Sequence, residues 1–357
     1  MKLTTLEMRN FTVFEKADFS FASGINVFIG ENGTGKSHVL KALYAVLKGV
    51  RVPPADATEE ARWQRERLAE VFKVDGGNAS AVGYLVRRSK GDEGATLAVT
   101  AGAQAETRIK IDQSGELTVM NQSWTAPLDA TFLPARDVLA MSEGFVPIYD
   151  RHRISFDETY RDACLALAQP ELKGSAKQAA DSMSARLQSI LGGKVTLENG
   201  RFHVDFGEGP HEAHLVAEGL RKIAALVHLI GNGSIHEGGV LIWDEPEANM
   251  NPRLIAKLAD ALRGLAAGGV QIFVATHDYL LSHRLSLAAE YEVPPNVEMK
   301  FFALHREHPI DPVQVQSGET LADIKNNAIL QEYAGHYEYE RSLYLKEIGQ
   351  DVDGGAP

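Results

Sequence analysis

The run Gly30-Glu31-Asn32-Gly33-Thr34-Gly35-Lys36-Ser37 constrains this chain more than any other stretch. It matches the phosphate-binding pattern G-x-x-x-x-G-K-[ST] at every fixed position. An apolar segment, Ile25 to Ile29, precedes it, and a stretch of helical character, Ser37 to Lys48, follows. Strand, glycine turn and helix is the context in which such a loop works. Its glycines let the backbone wrap phosphate oxygens, and the loop amides with the helix start supply positive partial charge. Lys36 is placed to reach the β- and γ-phosphates of a nucleotide, and the Ser37 hydroxyl to hold Mg²⁺. The nucleotide-binding candidates are therefore Gly30 through Ser37, with His38 beside them, and the implied ligands are ATP and Mg²⁺.

A second segment completes the chemistry. Val240-Leu-Ile-Trp243 is a short apolar run bounded by Asp244-Glu245-Pro246, as expected of a buried strand ending in two carboxylates. Asp244 suits the Mg²⁺ shell, and Glu245 suits polarising an attacking water.

The rest of the chain alternates between two patterns. Residues 1–21 read as short strands joined by turns, in which Leu3, Thr5 and Glu7 face one way and Thr4, Leu6 and Met8 the other, and 81–88, 95–100, 107–112 and 116–120 read as strands of an antiparallel meander. Thr131 to Pro134 is a short strand, and Asn199-Gly200 marks a hairpin turn within 194–206. A charged helix over Thr58 to Phe72 follows Pro53-Pro54. Helices are expected over 156–192, broken at Gln169-Pro170, and over 215–231, 252–267 and 279–286; further strands fall at 239–243, 270–276 and 299–305. Apolar strands separated by helices predict a parallel sheet covered on both faces.

Here a family resemblance emerges. Asp244-Glu-Pro, then Glu247-Ala-Asn-Met-Asn-Pro252, a helix, and an apolar strand ending in Ala275-Thr-His277-Asp278 resemble ABC-type ATPases, in particular SMC/RecF-like heads and OLD-type ATPases of bacterial defence. The start, Met8-Arg-Asn-Phe11 and Gly24-Ile-Asn-Val-Phe-Ile-Gly-Glu-Asn-Gly, carries the same likeness. It spans 1–48 and about 210–305, with a weaker match at Phe132 to Arg136. The resemblance implies an α/β P-loop NTPase fold: an ABC-type head at 1–145 and 194–305 with an antiparallel β subdomain, an inserted helical lobe at 146–193, and a helical extension and tail at 306–357. It also implies roles. His277 matches the switch histidine that contacts the γ-phosphate. Asn249 and Asn251 match the loop that crosses between subunits. Arg9, Asn10 and Phe11 match the strand edge that meets the nucleotide, although Phe11 also suits ordinary core. The signature turn of such ATPases corresponds to Ala217-Glu218-Gly219, where alanine stands in place of serine, so one hydroxyl contact to a partner's γ-phosphate is lost. Arg221 and Lys222 either add charge there or form a solvated face. Gln122, with Asn121 beside it, is the candidate for the glutamine that links Mg²⁺ to the helical lobe.

The net charge of −12 gives no support to non-specific nucleic-acid binding. Hydrophobic residues make up 44% and charged residues 24%, an ordinary soluble balance. No apolar run is long enough to span a bilayer, and no signal pattern is visible, so a cytoplasmic location without membrane partners is expected. Cys164 is the only cysteine and reads as packing. His211 and His214 lack a third ligand and read as solvent-exposed; Arg151-His-Arg153 reads as a surface cluster, and Trp63 and Trp124 as core. A whole TOPRIM-type nuclease domain is not expected in the residues after 305. The expected function is an ATP-hydrolysing protein that dimerises on ATP and regulates a separately encoded effector, a nuclease or toxin, in bacterial defence. The alternatives are a RecF/SMC-like DNA-repair ATPase and a nucleotide-gated scaffold with little turnover.

Overall fold

The computed structural model describes residues 1–52, 56–88, 93–152 and 154–347. Pro53-Pro54, Arg153 and the terminal Asp-Val-Asp-Gly-Gly-Ala-Pro fall outside these residues.

The run Ile25–Gly30 (β3) is buried along its whole length because it lies inside a six-stranded sheet. Gln271–Ala275 (β12) flanks it on one side, followed by Val240–Asp244 (β11) and Ala130–Leu133 (β7). Met299–His305 (β13) flanks it on the other, followed by Gln314–Gly318 (β14). Every pairing is parallel except β13 with β14. Strands covered on both faces must be apolar on both. Accordingly Ile25, Val27 and Ile29 join Leu241, Trp243, Ile272, Val274 and Phe301 in one core, while Phe28 joins Ile242, Phe273 and Phe302 in another. The buried Asn26 is satisfied locally: its carboxamide accepts from the Ala22 N–H at 2.8 Å and donates to the Ala22 carbonyl at 3.0 Å.

The second core is closed by the helices Lys36–Gly49 (α1) and Ala57–Phe72 (α2) and by an antiparallel sheet. That sheet consists of Leu3–Phe11 (β1), Phe14–Ser20 (β2), Ala95–Ala101 (β4), Ala105–Ile111 (β5) and Leu117–Gln122 (β6), in the order β2-β1-β4-β5-β6. The simple alternation expected at the start does not hold. A register shift between Leu3 and Thr5 puts Leu3, Leu6 and Met8 on the same buried face. The strand expected at 81–88 is a 3₁₀ turn over Ala79–Leu85, with a single bridge from Val86 to Phe11. Val82 and Leu85 are buried three apart, a spacing that suits one face of a three-residue turn.

The first core is filled from the other side by the helices Glu158–Leu167 (α4), Gly174–Leu191 (α5), Glu218–Gly231 (α6), Pro252–Ala267 (α7) and Tyr279–Glu290 (α8). Ala163, Leu167, Leu187 and Leu191 belong to the same core as the sheet, so the 146–193 segment, which opens with the short helix Phe145–Arg151 (α3), is layered onto the head. Polar ties run from α1 to α4: Lys41 to Asp157 at 2.7 Å and the Tyr44 hydroxyl to Asp162 at 2.6 Å. The strands Lys194–Glu198 (β8) and Arg201–Asp205 (β9) form the expected hairpin, with φ of 51° at Asn199 and 80° at Gly200; Pro210–Glu212 (β10) adds a third strand. Beyond residue 305 the chain supplies β14 to the main sheet and then the exposed helix Ala328–Glu347 (α9). Trp124 is core, but Trp63 is half-buried under the Arg51 guanidinium, 3.6 Å from its ring centre. Cys164 is buried, and burial pushes its thiol up to about 12. Among the described residues no helix is long and apolar enough to cross a membrane.

Candidate functional site

The C-terminal ends of β3, β11 and β12 lie level, since Asp244 pairs with Ala275 and Ala275 with Phe28. This edge of a parallel sheet is where α/β proteins place their ligands. Gly30 leaves β3 with φ of 146°, and a Cβ there would sit 2.3 Å from the Leu304 carbonyl oxygen, so only glycine fits. At Gly35 (φ 90°) a Cβ would meet Val13 at 2.6 Å. The β1–β2 turn therefore braces the loop where α1 begins, a contact no sequence pattern announced. The Lys36 ammonium lies inside the loop, donating to the carbonyls of Gly30 (2.8 Å) and Glu31 (3.0 Å). Burial lowers its pKa, and Glu245, Asp244 and Glu247 oppose that shift.

The carboxylates face this lysine. Asp244 is buried, and its pKa is raised chiefly by burial, with the neighbouring Ser37 hydroxyl opposing that rise. Its Oδ1 has no protein partner. A buried carboxylate with an unpartnered oxygen beside a serine hydroxyl is an all-oxygen donor set that fits Mg²⁺. Glu245 follows with φ of 46° and donates its N–H to the Ala275 carbonyl at 2.9 Å. His277 Nδ1 lies 3.3 Å from Glu245 Oε1 and 4.0 Å from Glu247 Oε1. Sequence reasoning gave Glu247 no role, yet it is buried, bound at 2.6 Å by the Thr276 hydroxyl, and raised in pKa by burial. Its position three residues after Asp244 was the available signal.

Other expected residues stand elsewhere or have local partners. Gln122 ends β6 and donates to the Arg51 carbonyl, just past the C-terminal end of α1. The phosphate loop is at the other end of that helix, about 20 Å away at 1.5 Å per residue. Gln122 is thus corrected: strand pairing holds it, and Asn121, which donates to Glu106, far from the loop. The Arg9 guanidinium turns onto β2, to Asp18 at 2.6 Å and the Ala17 carbonyl at 3.2 Å. Asn10, at φ 49°, accepts from the Arg87 N–H, and Phe11 is core against Phe72. His38 packs its ring on Phe72, and burial, helped by Lys41, lowers it to about 4, so it is neutral. Ala217 starts α6 without a side-chain cap, and Asn249 donates to Glu218 Oε1 at 2.9 Å. Asn251 caps α7 by accepting from the Leu254 N–H. Arg221 and Lys222 do not form a solvated face: Arg221 pairs with Asp137 at 2.7 Å, and Lys222 is buried against the turn after Glu245. His211 and His214 are exposed, and among the described residues no group of histidine, cysteine and acidic residues is clustered to hold a metal.

Comparison with known proteins agrees with this geometry. Residues 1–113 match the model of an AAA ATPase domain, and residues 131–282 match an AAA domain described as a putative AbiEii toxin of a type IV toxin–antitoxin system. The fold is similar to the SMC head bound to the C-winged helix domain of ScpA (TM-score 0.57, 14% identity, 89% of this chain and 98% of that one). It is also similar to the SMC head of Thermotoga maritima (TM-score 0.52, 12% identity, 88% and 98%). In fold and site the chain is similar to ABC-type ATPases of the SMC/RecF class. Within that class the chain is similar in sequence to the DNA replication and repair protein RecF of Proteus mirabilis, at 31% identity over 94 residues, 26% of each chain. It is similar also to RecF of Edwardsiella ictaluri, at 35% over 94 residues, again 26% of each. The matched stretch spans about a quarter of the length of these relatives.

Proposed function

We propose that the chain binds Mg-ATP and hydrolyses it by in-line attack of a water that Glu245 orients. The observation that supports this is the convergence of Lys36, Asp244, Glu245 and His277 at the level ends of β3, β11 and β12. Lys36 would leave its two loop carbonyls for phosphate oxygens, and the loop amides with the start of α1 would hold the remaining charge. Ser37 and Asp244 would hold Mg²⁺, which supplies neutralisation of the β- and γ-phosphate charge. His277, whose Nδ1 lies 3.3 Å from Glu245 Oε1, would face the γ-phosphate. The head–helical arrangement and the Ala217–Gly219 turn fit ATP-driven closure of two copies, each presenting that turn to the other's nucleotide. The match of residues 131–282 to a toxin–antitoxin ATPase model supports work with a separately encoded effector in bacterial defence. A second reading, a RecF-like repair ATPase, is favoured by the RecF matches and opposed by the net charge of −12.

The test is ATP hydrolysis with oligomeric mass for the wild type and Glu245→Gln in Mg-ATP. The expected result is turnover in the wild type, and in the variant loss of turnover by at least ~100-fold with nucleotide trapped in a dimer. Wild-type inactivity with mass indifferent to ATP would leave only a nucleotide-gated scaffold. A salt-sensitive shift of duplex DNA would favour the repair reading.

A further inference from the structure

Glu245 and Asn249 are non-glycine residues with φ of 46° and 63°. Bulky side chains rarely adopt that region, so the turn between them needs surrounding structure to hold it. The group that does so is Lys222, on the second turn of α6. Its side chain is buried, and its ammonium donates to the Glu245 carbonyl at 3.3 Å and the Ala248 carbonyl at 3.0 Å. Among the described residues no carboxylate lies within ion-pair distance of it, and burial lowers its pKa. Its hydrogen bonds go to carbonyls, and the charges of Glu218, Glu247, Asp137 and Glu245 only oppose the effect of burial; an apolar side chain of similar length would fill the position without desolvating a charge. Two further contacts tie the same pieces together. Asn249 donates to Glu218 at the start of α6, and at Gly219 a Cβ would lie 3.0 Å from Leu254, 3.2 Å from Met250 and 3.3 Å from the Asn249 carbonyl. The first turn of α6 thus rests directly on the loop that carries Glu245.

We propose that Lys222 is a positioning residue: it fixes the left-handed backbone at Glu245, so that the carboxylate faces the phosphate loop, and it couples that orientation to the start of α6. Movement of the Ala217–Gly219 turn is then transmitted to the carboxylate of the same chain. This rests on the hydrolysis reading above.

The test compares wild type, Lys222→Met, Lys222→Arg and Asn249→Gly for turnover at saturating Mg-ATP and for affinity towards a fluorescent ATP analogue. In Lys222→Met turnover is expected to fall by about tenfold or more, with affinity within about twofold, because Lys36 and the loop are untouched. Lys222→Arg, which keeps the cation and its donors, is expected to recover at least roughly a third of wild-type turnover. Turnover in Lys222→Met within about twofold of wild type overturns the inference, as does parallel loss of affinity and turnover. Should Lys222→Met not fold, Asn249→Gly decides, since glycine adopts the same left-handed φ and only the exposed bond to Glu218 is removed. A drop of about threefold in turnover at unchanged affinity upholds the coupling, and unchanged turnover overturns it. An inactive wild type overturns the hydrolysis reading and this inference with it, whereas an active wild type with an equally active Lys222→Met overturns the inference alone.

Discussion

Replacing Thr276 by valine removes a fully buried hydroxyl with two bonds. It donates to Glu247 Oε1 at 2.6 Å and accepts from the Asp278 N–H at 2.9 Å. The first is a bond to a carboxylate, of the kind that contributes about 1.5–3 kcal/mol; the second is neutral and contributes about 1 kcal/mol. Glu247 Oε2 already lacks a protein partner, so the variant leaves the buried carboxylate with only its own backbone N–H and the His277 ring 4.0 Å away. A loss of about 2–4 kcal/mol in urea-unfolding free energy is expected at pH 8 with an unchanged denaturant slope. The pH dependence gives a second check. Burial raises the Glu247 pKa and the Thr276 hydroxyl opposes that rise. A raised carboxyl destabilises the folded chain when ionised, and this penalty is lost as pH falls through the raised folded value towards the unfolded one. Without the hydroxyl the penalty grows, so the gap between wild type and variant is widest at alkaline pH and narrows on acidification. Adding Glu247→Gln to Thr276→Val removes the charge and should recover most of the loss. A change below about 0.5 kcal/mol at pH 8, or a gap that widens in acid, refutes the reasoning.

Asp244→Asn removes another buried carboxylate whose pKa burial raises. Thermal melts without nucleotide should show a gain of roughly 0.5–2 kcal/mol at pH 8 that shrinks as pH falls, while Mg²⁺ no longer strengthens ATP binding. Unchanged stability together with intact Mg²⁺ dependence would contradict both roles given to Asp244. Gly30→Ala places a Cβ 2.3 Å from the Leu304 carbonyl at a left-handed φ, and is expected to cost about 3 kcal/mol or more, seen as loss of soluble folded protein. A variant that melts like the wild type would mean that β3 and β13 separate easily at this end.

The phosphate loop was legible because its chemistry acts through the backbone. Gly30, Gly33 and Gly35 adopt positive φ in one short run, and that requirement writes glycines at fixed spacing whatever the rest of the chain does. The apolar strands were legible for a related reason: burial on both faces demands apolar residues at successive positions, as in Val240 to Trp243. The residues less well read depend on partners distant in the chain. Gln122 looked available until the pairing of β6 with β5 carried it to the far end of α1. The strand β14 gave no clear pattern because its residues are partly exposed at a sheet edge.

The amino-acid sequence alone therefore determined the local parts: a loop shaped for phosphate, a strand ending in Asp244-Glu245, and a strand ending ahead of His277. Only the tertiary structure decided that β12 lies between β3 and β11, which brings His277 to Glu245 and both carboxylates to Lys36. It alone buried Lys222, which the sequence left open between a charge near the phosphate and a solvated face, against the carbonyls of Glu245 and Ala248, and brought Glu247 within 4.0 Å of His277. The physical reason is the same in each case. Backbone conformation and burial are imposed residue by residue and leave a local pattern, whereas the pairing of parallel strands and the docking of helices join segments far apart in the chain, and no short spacing records which of them will meet.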